Sequence, residues 1–188
     1  MIKKQDKIYL FYVISVIIFL FLTTKYLDLE ELINSAGQMD IISYTEISKF
    51  YPSLPNNSEI IVKHIAQRFF IPYFAGLISF HLNLDLFTVY KILTYTFLVT
   101  FAFAITFYVN RSDFSLKEKI LFFSLLFLNP YIVRHHIFQP VQAHDLIFFL
   151  ITLTISYLII NKKYNWIIFF GTIPLFLRQT SIALFIGS

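Results

Sequence analysis

The chain has 188 residues, of which 57% are hydrophobic and 20% aromatic, against 14% charged. With a mean hydropathy of +0.70 it lacks the polar side chains that a soluble domain of this length needs on its surface. The net charge of +4 is spread over short loops, which excludes the concentrated basic face of a nucleic-acid-binding protein, and with no cysteine there is neither a disulfide framework nor thiolate chemistry.

The charges cluster and leave uncharged runs at residues 8–24, 92–110, 120–133, 146–161 and 164–177. A spanning helix needs about 20 mostly apolar residues, a length the shorter runs reach by snorkelling a terminal Lys or Arg or by carrying a polar residue inward. The expectation is an all-α, polytopic membrane helix bundle, with residues 1–188 forming a single transmembrane domain. About five spans are expected, near 8–24, 86–109, 119–138, 144–160 and 165–187. No small-residue cleavage site follows "MIKKQDK" and the first run, so the first span reads as an uncleaved signal anchor.

A long outer loop, 25–85, follows the first span and holds Asp28, Glu30, Glu31, Asp40, Glu46 and Glu59. Within it "MDIISYTEISKF" places apolar residues at 41, 42, 44, 47 and 50, the spacing of a short amphipathic helix lying at the interface. "KFYPSLPNNSE" breaks that helix with Pro52, Pro55 and Asn56-Asn57. In "RFFIPYFAGLISFH" the uncharged stretch between Arg68 and His81 is too short, at 1.5 Å per residue, for the ~30 Å of hydrocarbon. It predicts an outer-face juxtamembrane helix at about 66–82.

Loop charge orients the chain. With five spans and the N-terminus inside, the inner segments hold Lys3, Lys4, Lys7, Arg111, Lys117, Lys119, Lys162 and Lys163, and the outer ones Lys25, Lys49, Lys63, Arg68 and Arg134. Short inner loops richer in basic residues favour this orientation. The inner loops then carry little beyond orienting charge, and the chemistry faces outward. The sequence stops at "SIALFIGS", straight after a helix, which predicts that it is the N-terminal part of a longer protein.

Four places carry candidate chemistry. Asp40 stands near the membrane surface as a general base toward an acceptor hydroxyl or as a metal ligand, and equally as the cap of the helix that follows it. His64 and Arg68 are four apart and share a helical face, suited to a lipid phosphate or to snorkelling among headgroups. In "YIVRHHIFQPVQAHDLIFFL", residues Arg134, His135 and His136 close one span while His144 and Asp145 open the next. The adjacency of His135 and His136 turns their rings in different directions, which argues against zinc. Gln139, Gln142 and Asp145, at three-residue intervals, line one wall of an oxyanion site, or the whole stretch is a polar loop capped by Asp145. Arg178 and Gln179 fall deep in the fifth span expected at 165–187; an arginine there costs at least ~2.5 kcal/mol unless it is paired or hydrated, so it faces the bundle, with Asp145 or Asp40 as partner.

Taken together these residues resemble the GT-C superfamily of membrane glycosyltransferases. The resemblance rests on an uncleaved first helix, on Asp40 in "QMDIISYTEI", on the Pro-containing "RFFIPYFAGL" and on "LRQTSIAL", which is similar to the arginine-bearing helix of several members. It implies transfer of a sugar from a polyprenyl-phosphate carrier to an acceptor on the non-cytoplasmic face. In that reading Asp40 is catalytic, and His64, Arg68, Arg134, His136, Asp145, Arg178 and Gln179 bind substrate. The partners implied are the lipid bilayer and the polyprenyl-phosphate-linked sugar, without nucleic acid; the compartment is a bacterial plasma (inner) membrane. The cofactor is not legible, a divalent metal ion at Asp40 being the candidate. Many members carry a second acidic residue directly after the first, where this chain has Ile41. A transporter or flippase subunit, and a non-catalytic membrane protein, are the alternatives.

Overall fold

The structure is a computed structural model and describes residues 4–24, 39–53, 69–142, 144–163, 165–167 and 170, with the backbone alone at 4, 39, 40 and 144. Among the described residues every regular element is helical: α1 (Lys4–Thr23), α2 (Met39–Lys49), α3 (Phe70–Leu82), α4 (Leu86–Asn110), α5 (Leu116–Phe127), α6 (His135–Phe138) and α7 (His144–Ile160). A π turn, Pro130–Arg134, joins α5 to α6, and a 3-10 turn, Pro140–Gln142, precedes α7. The fold is thus the all-α bundle expected.

Local chemistry sets the ends of these helices. Asp85 accepts the amide of Thr88 at 2.9 Å and starts α4. Ser115 and Glu118 form a capping box at the start of α5, the Glu118 carboxylate accepting the Ser115 amide at 2.7 Å. Asn83 closes α3 with φ 51°, a left-handed conformation that Asn tolerates better than most residues. Because Ser79 donates to the carbonyl of Leu84 at 2.8 Å, the α3–α4 corner is tight.

Four stretches are long and apolar enough to cross a membrane: Gln5–Thr23, Leu86–Asn110, Leu116–Phe138 and Pro140–Ile160. Their outward side chains support the same conclusion. Phe11, Leu22 and Leu125 are 73%, 81% and 64% exposed, a surface that lipid satisfies and water does not. The chain is a multi-pass membrane protein. The fifth span expected at 165–187 lies for the most part outside the described residues. The thirteen residues of α3 rise only about 20 Å, as expected of a helix that does not cross.

The ends of the spans sort into two groups, which gives an up-and-down arrangement. At one end, called basal here, the Lys119 ammonium of α5 meets Asp6 of α1 at 3.3 Å and Asn110 of α4 at 3.1 Å. Arg111, just past α4, donates to the Tyr157 hydroxyl near the end of α7. At the other, apical end, Arg134 donates to Thr23 at the close of α1. The basal end is therefore the one expected inside. Lys119 is not the solvated loop charge that the sequence suggests: it is buried and paired, locking three helices together.

Three apolar clusters fill the interior. Phe101, Phe123 and Phe127 stack between α4 and α5, with Phe123 and Phe127 centroids 4.1 Å apart, and Tyr9 of α1 meets Phe123 edge-on. Ile41, Tyr44, Ala75, Tyr90 and Val141 hold α2, α3 and α4 together at the apical side. Ile71 of α3 joins Ile151, Ile155 and Leu158 of α7 and Ile167 beyond it.

The stretch α2 departs from the amphipathic expectation. Ile41, Ser43, Tyr44, Thr45, Ile47 and Ser48 are all at most 3% exposed, so the helix is enclosed rather than laid flat with one face wet. The cause is contact with α3 and with the Pro140–Gln142 turn. Its hydroxyls find partners internally. Thr45 bonds back to Ile41 at 2.8 Å, and the Ser48 hydroxyl lies 2.8 Å from the Pro72 carbonyl and 2.6 Å from the Tyr90 hydroxyl, one knot linking α2, α3 and α4.

Candidate functional site

The third span does not run straight to its apical end. α5 stops at Phe127; Asn129 accepts the amide of Tyr131 at 2.9 Å, and Pro130, lacking an N–H, opens the π turn. The backbone turns helical again over His135–Phe138 and breaks once more at Gln139, with φ −121° and ψ 75°. Such breaks free carbonyl groups that need partners inside a membrane. The Thr94 hydroxyl of α4, 2.9 Å from the Tyr90 carbonyl of its own helix, also lies 3.1 Å from the carbonyl of Pro140, just past the break.

This interrupted segment carries the polar residues to the apical end. Arg134 Nη2 donates to Thr23 Oγ1 at 3.1 Å, and the two residues line a cleft of about 380 Å³ with Thr24, Pro130, Tyr131, His135 and Phe138. Arg134 Nε and the Thr24 hydroxyl are buried without a hydrogen-bond partner among the described residues. No carboxylate among them pairs with Arg134. The cleft therefore offers a guanidinium and two hydroxyls set into an apolar wall, an arrangement suited to an oxyanion carried on a hydrophobic chain.

The two histidines part company. His135 is half-exposed, and its Nε2 lies 3.2 Å from Gln142 Oε1. His136 is 4% exposed and turns inward toward Phe149, with ring centroids 6.4 Å apart. Their planes cross at 69°, the divergence that adjacency predicts. Among the described residues no group of three or more His, Asp or Glu side chains comes together in a way that could hold a metal ion.

Gln139, Gln142 and Asp145 bracket the 3-10 turn that precedes α7. Gln139 is buried, its Oε1 without a partner among the described residues; Gln142 is tied to His135, and Asp145 stands half-buried in the first turn of α7.

Of the other candidates, Asp40 falls in the first turn of α2, and only its backbone is described. His64, Arg68, Arg178 and Gln179 lie outside the described residues. The structure adds Thr23 and Thr24 to the site. Their only signal in the sequence is a polar pair closing an apolar run, which reads as a helix end. Compared with known proteins, the chain matches no family model, no curated protein and no solved structure.

Proposed function

We propose that the apical end binds a polyprenyl-phosphate-linked sugar and that the chain is a membrane glycosyltransferase, or part of one, acting on the non-cytoplasmic face of a bacterial plasma membrane. The observation that carries this reading is Arg134, a guanidinium without a carboxylate partner among the described residues, held by Thr23 at the mouth of an apolar cleft. In the reaction an acceptor hydroxyl attacks the anomeric carbon, and the carbon–oxygen bond to the carrier phosphate breaks. Asp40 takes the hydroxyl proton. Charge builds on the departing phosphate, where Arg134, joined by Arg68 and Arg178, stabilises it. His64, His136, Asp145 and Gln179 complete the substrate set by their places in the sequence.

The test is sugar transfer from a polyprenyl-phosphate sugar in membranes containing the chain. Asp40→Asn should abolish transfer, and Arg134→Gln should raise the donor concentration needed by about tenfold or more, the loss of one charge-assisted hydrogen bond. Full transfer by both variants overturns the proposal.

One observation favours a second reading. Interrupted spans that end in unwound backbone are how many transporters build their sites, and the third span is interrupted over Asn129–Arg134 and ends in the break at Gln139. Uptake by proteoliposomes, without any sugar transfer, would select the transporter or flippase subunit.

A further inference from the structure

At the basal end, α4 and α7 diverge and leave a cleft of about 450 Å³, well away from the apical site. Leu153 and Ile160 give it an apolar wall, while Tyr108, Tyr157, Arg111 and Ser112 give it a polar rim. Arg111 is built into this rim. Its guanidinium stacks 3.9 Å from the Phe107 ring centroid and donates to the Tyr157 hydroxyl, and Tyr108 and Tyr157 contact each other at 5.0 Å. Stacking and one hydrogen bond fix the plane of the fork, whose five N–H groups bind oxyanions in pairs.

Charge at this place is one-sided. Among the described residues no carboxylate pairs with Arg111, Lys162 or Lys163; Asp113, on the loop after Arg111, does not reach it. The two lysines follow Asn161, the cleft-lining residue just past α7, and Lys162 takes a left-handed conformation, φ 55°, that ends the helix beside the cleft. The next described stretch goes elsewhere. Ile167 packs with Ile151, Ile155 and Leu158, which by helical spacing occupy the face of α7 opposite Leu153, Tyr157 and Ile160.

We propose that this cleft is a docking site for one anionic phospholipid of the leaflet at the basal end. Its phosphate sits against Arg111 with Lys162 and Lys163 nearby, and its acyl chain runs along Leu153 and Ile160. Position supports the lipid source over a free anion: Arg111 caps α4 at the level where hydrocarbon gives way to headgroups, and the wall below it is apolar.

The test uses the purified full chain in detergent micelles doped with phosphatidylglycerol or phosphatidylcholine, with native mass spectrometry counting retained lipid. The wild-type chain should retain phosphatidylglycerol in preference to phosphatidylcholine. Arg111→Gln should weaken that retention about tenfold or more, the scale of a lost charge-assisted hydrogen bond. Arg111→Lys, which keeps the charge but loses the fork and its stacking, should fall between the two. Thermal melting in undoped micelles separates this from unfolding: a folded Arg111→Gln chain melts as wild type there but is no longer stabilised selectively by phosphatidylglycerol. Equal retention of both lipids by the wild type overturns the proposal. So does unchanged selectivity in Arg111→Gln, or equal stabilisation by soluble glycerophosphate, since the apolar wall would then contribute nothing. If Arg111→Gln misfolds, a double Lys162→Gln, Lys163→Gln chain with undiminished selectivity overturns it as well.

Discussion

Gly76 of α3 lies directly against the backbone of Ser48 in α2: a Cβ added to Gly76 would overlap the Ser48 carbonyl oxygen and come within 3.0 Å of the Ser48 carbonyl carbon and of Tyr51 Cβ. Here the absence of a side chain, rather than backbone freedom, brings two short helices together. Gly76→Ala should therefore lower stability by about 1–3 kcal/mol, because the nearest obstacle is the Ser48 backbone, which no side-chain rotation moves aside. The gain in helix propensity, roughly 1 kcal/mol, acts in the opposite direction and does not remove the overlap. Thermal melting in detergent checks it, and a variant as stable as wild type would show that α2 is not held in this register.

The knot beside that contact makes an asymmetric prediction. The Tyr90 hydroxyl has Ser48 at 2.6 Å and otherwise only the Tyr44 carbonyl at 3.4 Å. The Ser48 hydroxyl also has the carbonyls of Pro72 and Tyr44, at 2.8 and 2.9 Å. Ser48→Ala leaves a fully buried phenol with only its long contact to the Tyr44 carbonyl and should cost about 1–3 kcal/mol; Tyr90→Phe removes a group whose partner is still satisfied and should cost about 1 kcal/mol. Melting temperatures in the opposite order would contradict the geometry.

At the basal end Lys119 is 10% exposed through its side chain and Asp6 25%, so water screens their contact incompletely. Lys119→Met alone leaves Asp6 without its ammonium, and Asp6→Asn alone leaves a buried cation. Each should destabilise the bundle more than the double replacement does, with a coupling of about 0.5–3 kcal/mol. Additive effects in a double-mutant cycle would mean that the pair does not lock α1 to α5.

The arrangement of the spans can be read directly, since the chain contains no cysteine. Cysteines placed singly at Tyr131, 87% exposed at the apical end, and at Lys162, exposed at the basal end, should react with impermeant reagent from opposite sides of the membrane. The positive-inside rule puts Lys162 in the cytosol. Labelling of both from one side would undo the up-and-down bundle and the apical site with it.

Thr94 ties α4 to the corner between the third and fourth spans. Thr94→Val keeps the shape but removes the hydroxyl shared between the Tyr90 and Pro140 carbonyls, and should destabilise the apical end by about 0.5–1.5 kcal/mol. Faster amide exchange confined to residues 135–146 is the expected signature; uniform exchange across α4 would point instead to general loosening.

How much of this was legible beforehand follows from what each feature depends on. The positions of α1, α4, α5 and α7, and the short reach of α3, follow from hydrocarbon thickness against rise per residue, a matter of length and composition that any reading of the chain contains. The division of the rings of His135 and His136 also follows from adjacency alone. Other features depend on which residues meet across the bundle. Ser43, Thr45 and Ser48 read as a wet face, but α3 and the Pro140–Gln142 turn enclose them. Lys119 reads as a loop charge until Asp6, more than a hundred residues earlier, is brought beside it. Composition sets which environment a segment must have; which neighbour satisfies its polar groups is settled only when distant segments pack, because a hydrogen bond or a glycine contact is a relation between two places in space.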